Sequence, residues 1–253
     1  MPRVAGVDMR TRVVIAVAVC LVTGVFADQK KRFEVKPDEA DPGHTHLVQG
    51  AWLEGIGCPS HARTVLPNAD FTGPGEPGEF TDPVCETGDP ADRKVEGLLL
   101  AKTGPSVTNF AAAVARVVGV KGETITELGW DIRKPGTDLS AGPRGSHCGA
   151  GAPRWNIQTR DGRFFFLGCN SPPAPDQQPG LGFVRMRWGG SVPLLAFEVP
   201  SFALVDIRGL ELKSLEIVFD EGYDTGPDNF GMAILDNIDV NGVLVGRGPT
   251  DAD

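Results

Sequence analysis

The sequence has no long apolar segment after its first 27 residues, which argues against a membrane-spanning helix in the rest of the chain. Its longest apolar run, residues 13–22, is much shorter than the ~20 residues that such a helix requires. The chain also lacks CxxC spacing, a G-x-S-x-G motif and an EF-hand loop. These absences argue against a cysteine zinc site, an α/β-hydrolase nucleophile and a standard calcium loop.

Basic residues are too few to form an extended cationic surface. The chain has 24 Lys and Arg against 33 Asp and Glu, a formal net charge of -9. Residues 1–27 contribute three Arg and one Asp, so residues 28–253 carry 21 basic and 32 acidic residues and a net charge of −11. We therefore expect no nucleic-acid partner, because phosphate binding needs a basic face.

Residues 1–27 have the features of a secretory signal peptide. Arg3, Arg10 and Arg12 precede the apolar run, and small residues before Asp28 offer a cleavage site. The sequence therefore predicts a secreted or extracytoplasmic protein without a membrane span.

Four cysteines follow the predicted leader, and an even count in an exported chain indicates two disulfides. Three pairings are possible. We favour Cys58 with Cys85 and Cys148 with Cys169, because each pair lies in one local segment.

The remaining chain divides into two regions by pattern. Residues 28–94 are rich in Pro and Gly and show no sustained period, so they predict an irregular arm that the first disulfide fastens. From residue 95 to 253, short runs of alternating apolar and polar residues are separated by turn residues. That pattern predicts an all-β domain, an antiparallel β-sandwich of jelly-roll type.

The segment "RWNIQTRDGRFFFLGC" contains the clearest hairpin. A two-residue turn at Asp161-Gly162 would place Trp155, Ile157, Phe164 and Phe166 on one core-facing side. Asn156 and Gln158 would then lie on the other side. By the same alternation, we expect Trp130 and Trp188 to be core residues. The segment "NFAAAVARVVGV" favours a strand over a helix, because its second half is β-branched and it ends in Gly.

Asp236 lies in "MAILDNIDV", where alternation gives it the same facing as the apolar Ile234 and Ile238. A buried carboxylate needs a cation, an Arg, backbone N–H donors or a proton. The preceding acidic loop makes calcium one candidate, and hydrogen bonding or pairing with Arg is the simpler alternative. The predicted calcium ligands are Asp220, Asp224, Asp228 and Asp236.

The segments "LEIVFDEG" and "ILDNIDVNG" resemble the closing strands of secreted jelly-roll modules such as carbohydrate-binding modules. The resemblance covers about the last 35 residues. It implies a β-sandwich, often with a structural calcium, and a face or rim that binds extracellular glycans.

Glycan binding needs exposed aromatic rings beside polar side chains. Trp52 and Tyr223 lie in irregular segments and are the candidate rings, and the candidate polar residues are Asn156, Gln158, Arg185 and Arg187. An ordinary solvated sheet face is the alternative for the polar residues.

Other candidate chemistry is weak. His44 and His46 have spacing that could reach one metal, but they lie in the predicted arm. Ser146 and His147 are sequence neighbours, which on an extended chain point to opposite sides. The sequence therefore predicts a non-catalytic binding protein for carbohydrate. A secreted hydrolase or a structural cell-envelope protein remain as alternatives.

Overall fold

Alternating burial along short strands organises the chain into two antiparallel sheets. The computed structural model describes residues 32–59, 64–66, 78–80, 83–103, 110–134, 152–168, 171–172, 182–220 and 230–249. The predicted leader, Cys148, Cys169, Tyr223, Asp224 and Asp228 lie outside these ranges, so the predictions for them are not addressed. Where the chain is described, no helix is long and apolar enough to cross a membrane.

The described ranges contain fifteen strands and a short 3₁₀ turn at Pro83–Glu86. The strands are β1 Glu34–Ala40, β2 Val48–Leu53, β3 Thr64–Leu66, β4 Gly78–Phe80, β5 Gly97–Thr103, β6 Ala112–Val118, β7 Glu127–Arg133, β8 Arg154–Thr159, β9 Phe164–Gly168, β10 Val184–Gly189, β11 Leu195–Val199, β12 Ala203–Asp206, β13 Leu212–Phe219, β14 Phe230–Val240 and β15 Val243–Val245. The segment at residues 112–118 is thus a strand, as predicted.

Two main sheets form the sandwich. The seven-stranded sheet has the order β1-β6-β13-β8-β9-β11-β12. The six-stranded sheet has the order β10-β7-β14-β5-β2, with β15 paired to β14. Strands β3 and β4 form a separate ribbon. From β5 to β8 the chain passes from one main sheet to the other at each connection. The predicted antiparallel β-sandwich is confirmed.

The core between the sheets contains three tryptophans, as predicted. Trp155 comes from the seven-stranded sheet and stacks on Trp130 of the other sheet, with ring centroids 5.1 Å apart. Trp188 meets Trp130 edge-on at 5.2 Å. All three side chains are fully buried. Contacts between sheets through these rings join the two layers into one hydrophobic core.

The expected irregular arm differs from the structure over residues 34–53. Strand β1 pairs with β6 at the edge of the seven-stranded sheet, and β2 pairs with β5 at the edge of the six-stranded sheet. The segment "EVKPDEA" gives a weak strand signal because four of its seven residues are charged, Val35 alone is fully buried, and it contains Pro37. An edge strand tolerates such a sequence, since one of its sides needs no ladder partner.

The predicted β8–β9 hairpin forms, but its register differs by one residue. Thr159 N–H donates to Arg163 O at 3.0 Å, which closes a three-residue loop in place of the expected two-residue turn. Gly162 occupies the left-handed region at φ 92° in this loop. Ile157 therefore pairs with Phe165, not Phe166. The assignment of Phe164 and Phe166 to the core was wrong, because a one-residue shift moves a strand's side chains to the other face.

Candidate functional site

Asp236 is buried in the middle of β14, as predicted, but on the side of the strand that faces away from the sandwich core. Its neighbour Ile234 packs against the Cys58–Cys85 disulfide, whereas Leu235 faces the core between the sheets. Residues 57–58 and 85–89, which this disulfide joins, therefore cover Asp236 from outside. We call them the covering segment. This disulfide confirms the first predicted pairing.

Backbone N–H groups are the partners of the Asp236 carboxylate. Oδ2 accepts from Cys58 N at 2.6 Å, and Oδ1 accepts from Asn237 N at 2.5 Å. Gly57 permits this approach, because a Cβ there would lie 2.1 Å from Glu96 O and 2.8 Å from Asp236 Oδ2. Burial nevertheless raises the pKa of Asp236 well above its ordinary value. A cation, an Arg, backbone N–H donors and a proton were the partners that the sequence left open. The structure supplies backbone N–H donors.

Asn237 interrupts the β14 ladder beside Asp236. The register with β7 shifts between Asp236 and Asp239, and Asn237 has a left-handed φ of 45°. Its Oδ1 accepts from Asp89 N at 2.8 Å, and its Nδ2 donates to Asp131 Oδ2 at 2.8 Å. This side chain therefore links the covering segment to the sheet. After it, Ile238 faces the core and Asp239 does not.

Asp131 and Asp239 hold the two predicted ligand-binding arginines of β10. Arg185 donates to both oxygens of Asp131, from Nε at 2.8 Å and from Nη2 at 2.9 Å. Arg187 Nε lies 2.8 Å from Asp239 Oδ2. Both carboxylates are nearly inaccessible to solvent. The arginines thus form ion pairs on the outer side of the six-stranded sheet.

We define Asp131, Asp236, Asn237, Asp239, Arg185 and Arg187 as the buried polar network. Burial raises the pKa of Asp239 to about 7; the charge of Arg187 lowers it, and a hydrogen bond with Glu127 raises it. Asp131 on β7 and Asp236 on β14 are paired residues of neighbouring strands, and the covering segment shields both from solvent. These carboxylates are therefore not placed to meet a glycan substrate, as a hydrolase would require.

Asp220, the first predicted calcium ligand, forms a two-pronged ion pair with Arg154. Nη1 and Nη2 each lie 2.7 Å from one carboxylate oxygen. Burial raises the pKa of Asp220, but the bonds and charge of Arg154 outweigh it, so the pKa lies below its ordinary value. Asp220 ends a strand of the seven-stranded sheet, whereas Asp236 lies within the six-stranded sheet. The structure does not bring these two into one site.

Asp220 and Asp236 are the described members of the predicted calcium site. No group of three or more His, Cys, Asp or Glu side chains is arranged to hold a metal within the ranges that the structure covers. Calcium binding stays a prediction that now depends on Asp224 and Asp228. A melting temperature that EDTA and added calcium both leave unchanged would reject it.

The outer side of the seven-stranded sheet has a different character. One row of register partners crosses all seven strands: Lys36, Arg116, Glu216, Asn156, Phe166, Phe197 and Leu204. The β1 half of the row is charged, and the β12 half is apolar. We call the outward side chains of β8, β9, β11 and β12, with the adjoining Phe202, the open face.

Aromatic rings lie together on the open face. Phe164 and Phe166 meet edge-on at 5.3 Å, and Phe202 lies 6.5 Å from Phe166 and is 60% exposed. The Arg154 guanidinium lies over the Phe166 ring, 4.9 Å from its centroid. Since Asp220 holds Arg154 in turn, the position of this ring is constrained.

The predicted polar residues Asn156 and Gln158 lie beside these rings, as register partners of Phe166 and Phe164. Asn156 Oδ1 is shielded from solvent and accepts no hydrogen bond from the residues that the structure describes, so Gln158 is the more accessible amide. The open face therefore combines one exposed and two partly buried rings with amide groups. Sequence reasoning missed the phenylalanines because it assumed a two-residue turn; Gly162 would have allowed the three-residue loop as well.

Trp52, a predicted platform ring, is half-buried at the opposite sheet edge. Its Nε1 donates to Val35 O at 2.9 Å, and Gly248 packs so closely that a Cβ there would lie 3.2 Å from the indole. Trp52 thus packs against neighbouring segments and lies outside the open face.

No protein-family model matches the chain, and no curated protein matches it. Among solved structures, it is similar to a family 11 carbohydrate-binding module from Clostridium thermocellum, in complex with a β-1,3-1,4-mixed-linked tetrasaccharide. The likeness covers 86% of this chain and 94% of that chain, at 11% identity and a TM-score of 0.37.

Proposed function

We propose that this chain is an exported, non-catalytic carbohydrate-binding protein and that its open face binds an extracellular glycan. The observation that carries the proposal is the cluster of Phe164, Phe166 and Phe202 beside Asn156 and Gln158. Apolar rings can contact the C–H faces of sugars, while amides hydrogen-bond to hydroxyl groups.

Export is part of the proposal and has separate support. The Cys58–Cys85 disulfide suits an oxidising compartment, where such bonds form and persist. The features of residues 1–27 point the same way. Mass spectrometry of the protein recovered from culture medium would test cleavage before Asp28.

The binding test is retention of the purified protein by a panel of polysaccharides, with β-1,3-1,4-mixed-linked glucan among them. We expect the double variant Phe166→Ala/Phe202→Ala to lose at least about tenfold in affinity for any glycan that the wild type binds. Phe110→Ala is the matched control, because Phe110 is 86% exposed and precedes β6, three strands from β9.

Two results would overturn the proposal. One is a wild-type protein that no glycan of the panel retains. The other is a double variant that stays folded by its tryptophan fluorescence and binds as tightly as Phe110→Ala.

A further inference from the structure

A second concave site lies away from the open face, where the start of β1 meets the segment that follows β15. The cavity has a volume of about 150 Å³. Its lining residues are Arg32, Phe33, Glu34, Val245, Arg247, Gly248 and Pro249. We call it the Arg247 pocket. A cavity of about this volume holds a six-membered ring such as benzene.

Two acidic side chains near the Arg247 pocket are engaged with cations other than Arg247. Glu34 is paired with Lys36 at 3.0 Å, and Arg32 donates to Asp89 at 2.9 Å. Arg247 Nε is shielded from solvent and has no hydrogen-bond acceptor among the described residues. Arg247 as a whole is only half-buried and lines the pocket, so a bound carboxylate would accept from the remaining donors of its guanidinium.

Hydrogen bonds fix the wall that carries Arg247. Gly246 N donates to Asp89 Oδ2 at 3.2 Å, and Gly248 N donates to Glu96 Oε2 at 2.9 Å. The Trp52 ring packs against Gly248. The residues on both sides of Arg247 are therefore held in place, so binding would require little ordering of this segment.

The remaining wall is partly apolar. Phe33 and Val245 belong to the core and reach the pocket, and Pro249 adds a rigid ring. A small ligand with one carboxylate and one ring would match this combination of surfaces.

We propose that the Arg247 pocket binds one acidic sugar residue, a uronic acid, with its carboxylate on Arg247 and its ring against the apolar wall. This inference rests on the proposed function, because it names an acidic residue of the glycan as a second contact point.

The test uses the full chain and three probes: methyl glucuronide, neutral methyl glucoside and inorganic phosphate. Binding is measured by calorimetric titration or ligand-observed NMR at low salt. Arg247→Gln removes one of the two arginine charges at the pocket. Arg208→Gln is the matched control, because Arg208 is half-exposed and pairs with Asp206 next to β12, on the far edge of the seven-stranded sheet.

We expect methyl glucuronide to bind at least about tenfold more tightly than methyl glucoside, and Arg247→Gln to remove that preference while Arg208→Gln retains it. Equal binding of phosphate and glucuronide would overturn the assignment to a sugar. Glucuronide binding that Arg247→Gln leaves unchanged, or no binding at all, would overturn the site.

Separate variants test the glycan-binding proposal for the open face and the proposal for the Arg247 pocket. Arg247→Gln should leave retention by a neutral polysaccharide unchanged, and Phe166→Ala/Phe202→Ala should leave methyl glucuronide binding unchanged. Loss of glucuronide binding in the phenylalanine variant instead would contradict the location of the acidic subsite.

Discussion

The outer sides of the two sheets use charge in opposite ways. On the six-stranded sheet, a covering segment buries Asp131 and Asp236 with their partners. On the seven-stranded sheet, the ion pair of Arg116 with Asp38 stays in solvent, and partly exposed rings lie three strands away on the same sheet. The first arrangement stabilises one fixed structure, because a buried charge without its partner is costly. The second leaves a surface that can exchange water for a ligand.

The largest expected effect comes from breaking the buried polar network. Asp131→Ala leaves Arg185 without its carboxylate and should lower the free energy of unfolding by about 3–5 kcal/mol. Asp38→Ala, on the other sheet, should change it by no more than about 0.5 kcal/mol. Urea unfolding measures both; equal losses would remove the contrast between the faces.

Removing the Cys58–Cys85 disulfide tests whether the covering segment depends on this bond to stay packed on the six-stranded sheet. The bond joins residues 27 apart, so Cys58→Ser/Cys85→Ser should lower the free energy of unfolding by about 3 kcal/mol in the chain-entropy model. Amide exchange of Cys58-adjacent residues should rise in parallel. Full stability in the double variant would show that packing alone holds the cover.

A matched pair of apolar truncations sharpens the comparison. Ile234→Ala, under the cover, should cost about 2–3 kcal/mol, because Ile234 is only 5% exposed. Leu204→Ala, on the open face, should cost about 0.5 kcal/mol, because Leu204 is 47% exposed. Thermal and urea unfolding would measure both, and a larger loss for Leu204→Ala would contradict the assigned exposure.

A further expected effect is a pH dependence from Asp239, which per pH unit is smaller than the loss from Ile234→Ala. Burial raises its pKa from 3.8 to about 7 in the folded protein, so the folded state holds a proton that the unfolded state releases between those pH values. Stability should therefore fall with rising pH in this window, by on the order of 1 kcal/mol per unit. Asp239→Asn should lose that slope in urea titrations at pH 4 to 8. An unchanged slope would assign the titration to another group.

The sequence predicted correctly the facing of side chains that depends only on alternation within one strand. It missed the facing of side chains that depends on loop length or on an irregularity in the strand. The facing of Trp130, Trp155 and Trp188 followed from alternation within single strands. The facing of Phe166 depended on one residue of loop length, and that of Asp236 relative to Ile238 on the irregularity at Asn237. Burial of Asp236 could be inferred from its apolar neighbours, but the identity of its partners could not, because Cys58 N is distant in sequence.

The irregularity at Asn237 makes β14 two half-strands of opposite phase. Before it, odd-numbered residues such as Ala233 and Leu235 face the sandwich interior; after it, even-numbered Ile238 and Val240 do. Without the irregularity, Ile238 and Val240 would face the outer side of the six-stranded sheet. The left-handed residue therefore reverses the facing of the strand, so that one strand contributes polar side chains to its outer side and apolar side chains to the core along its whole length.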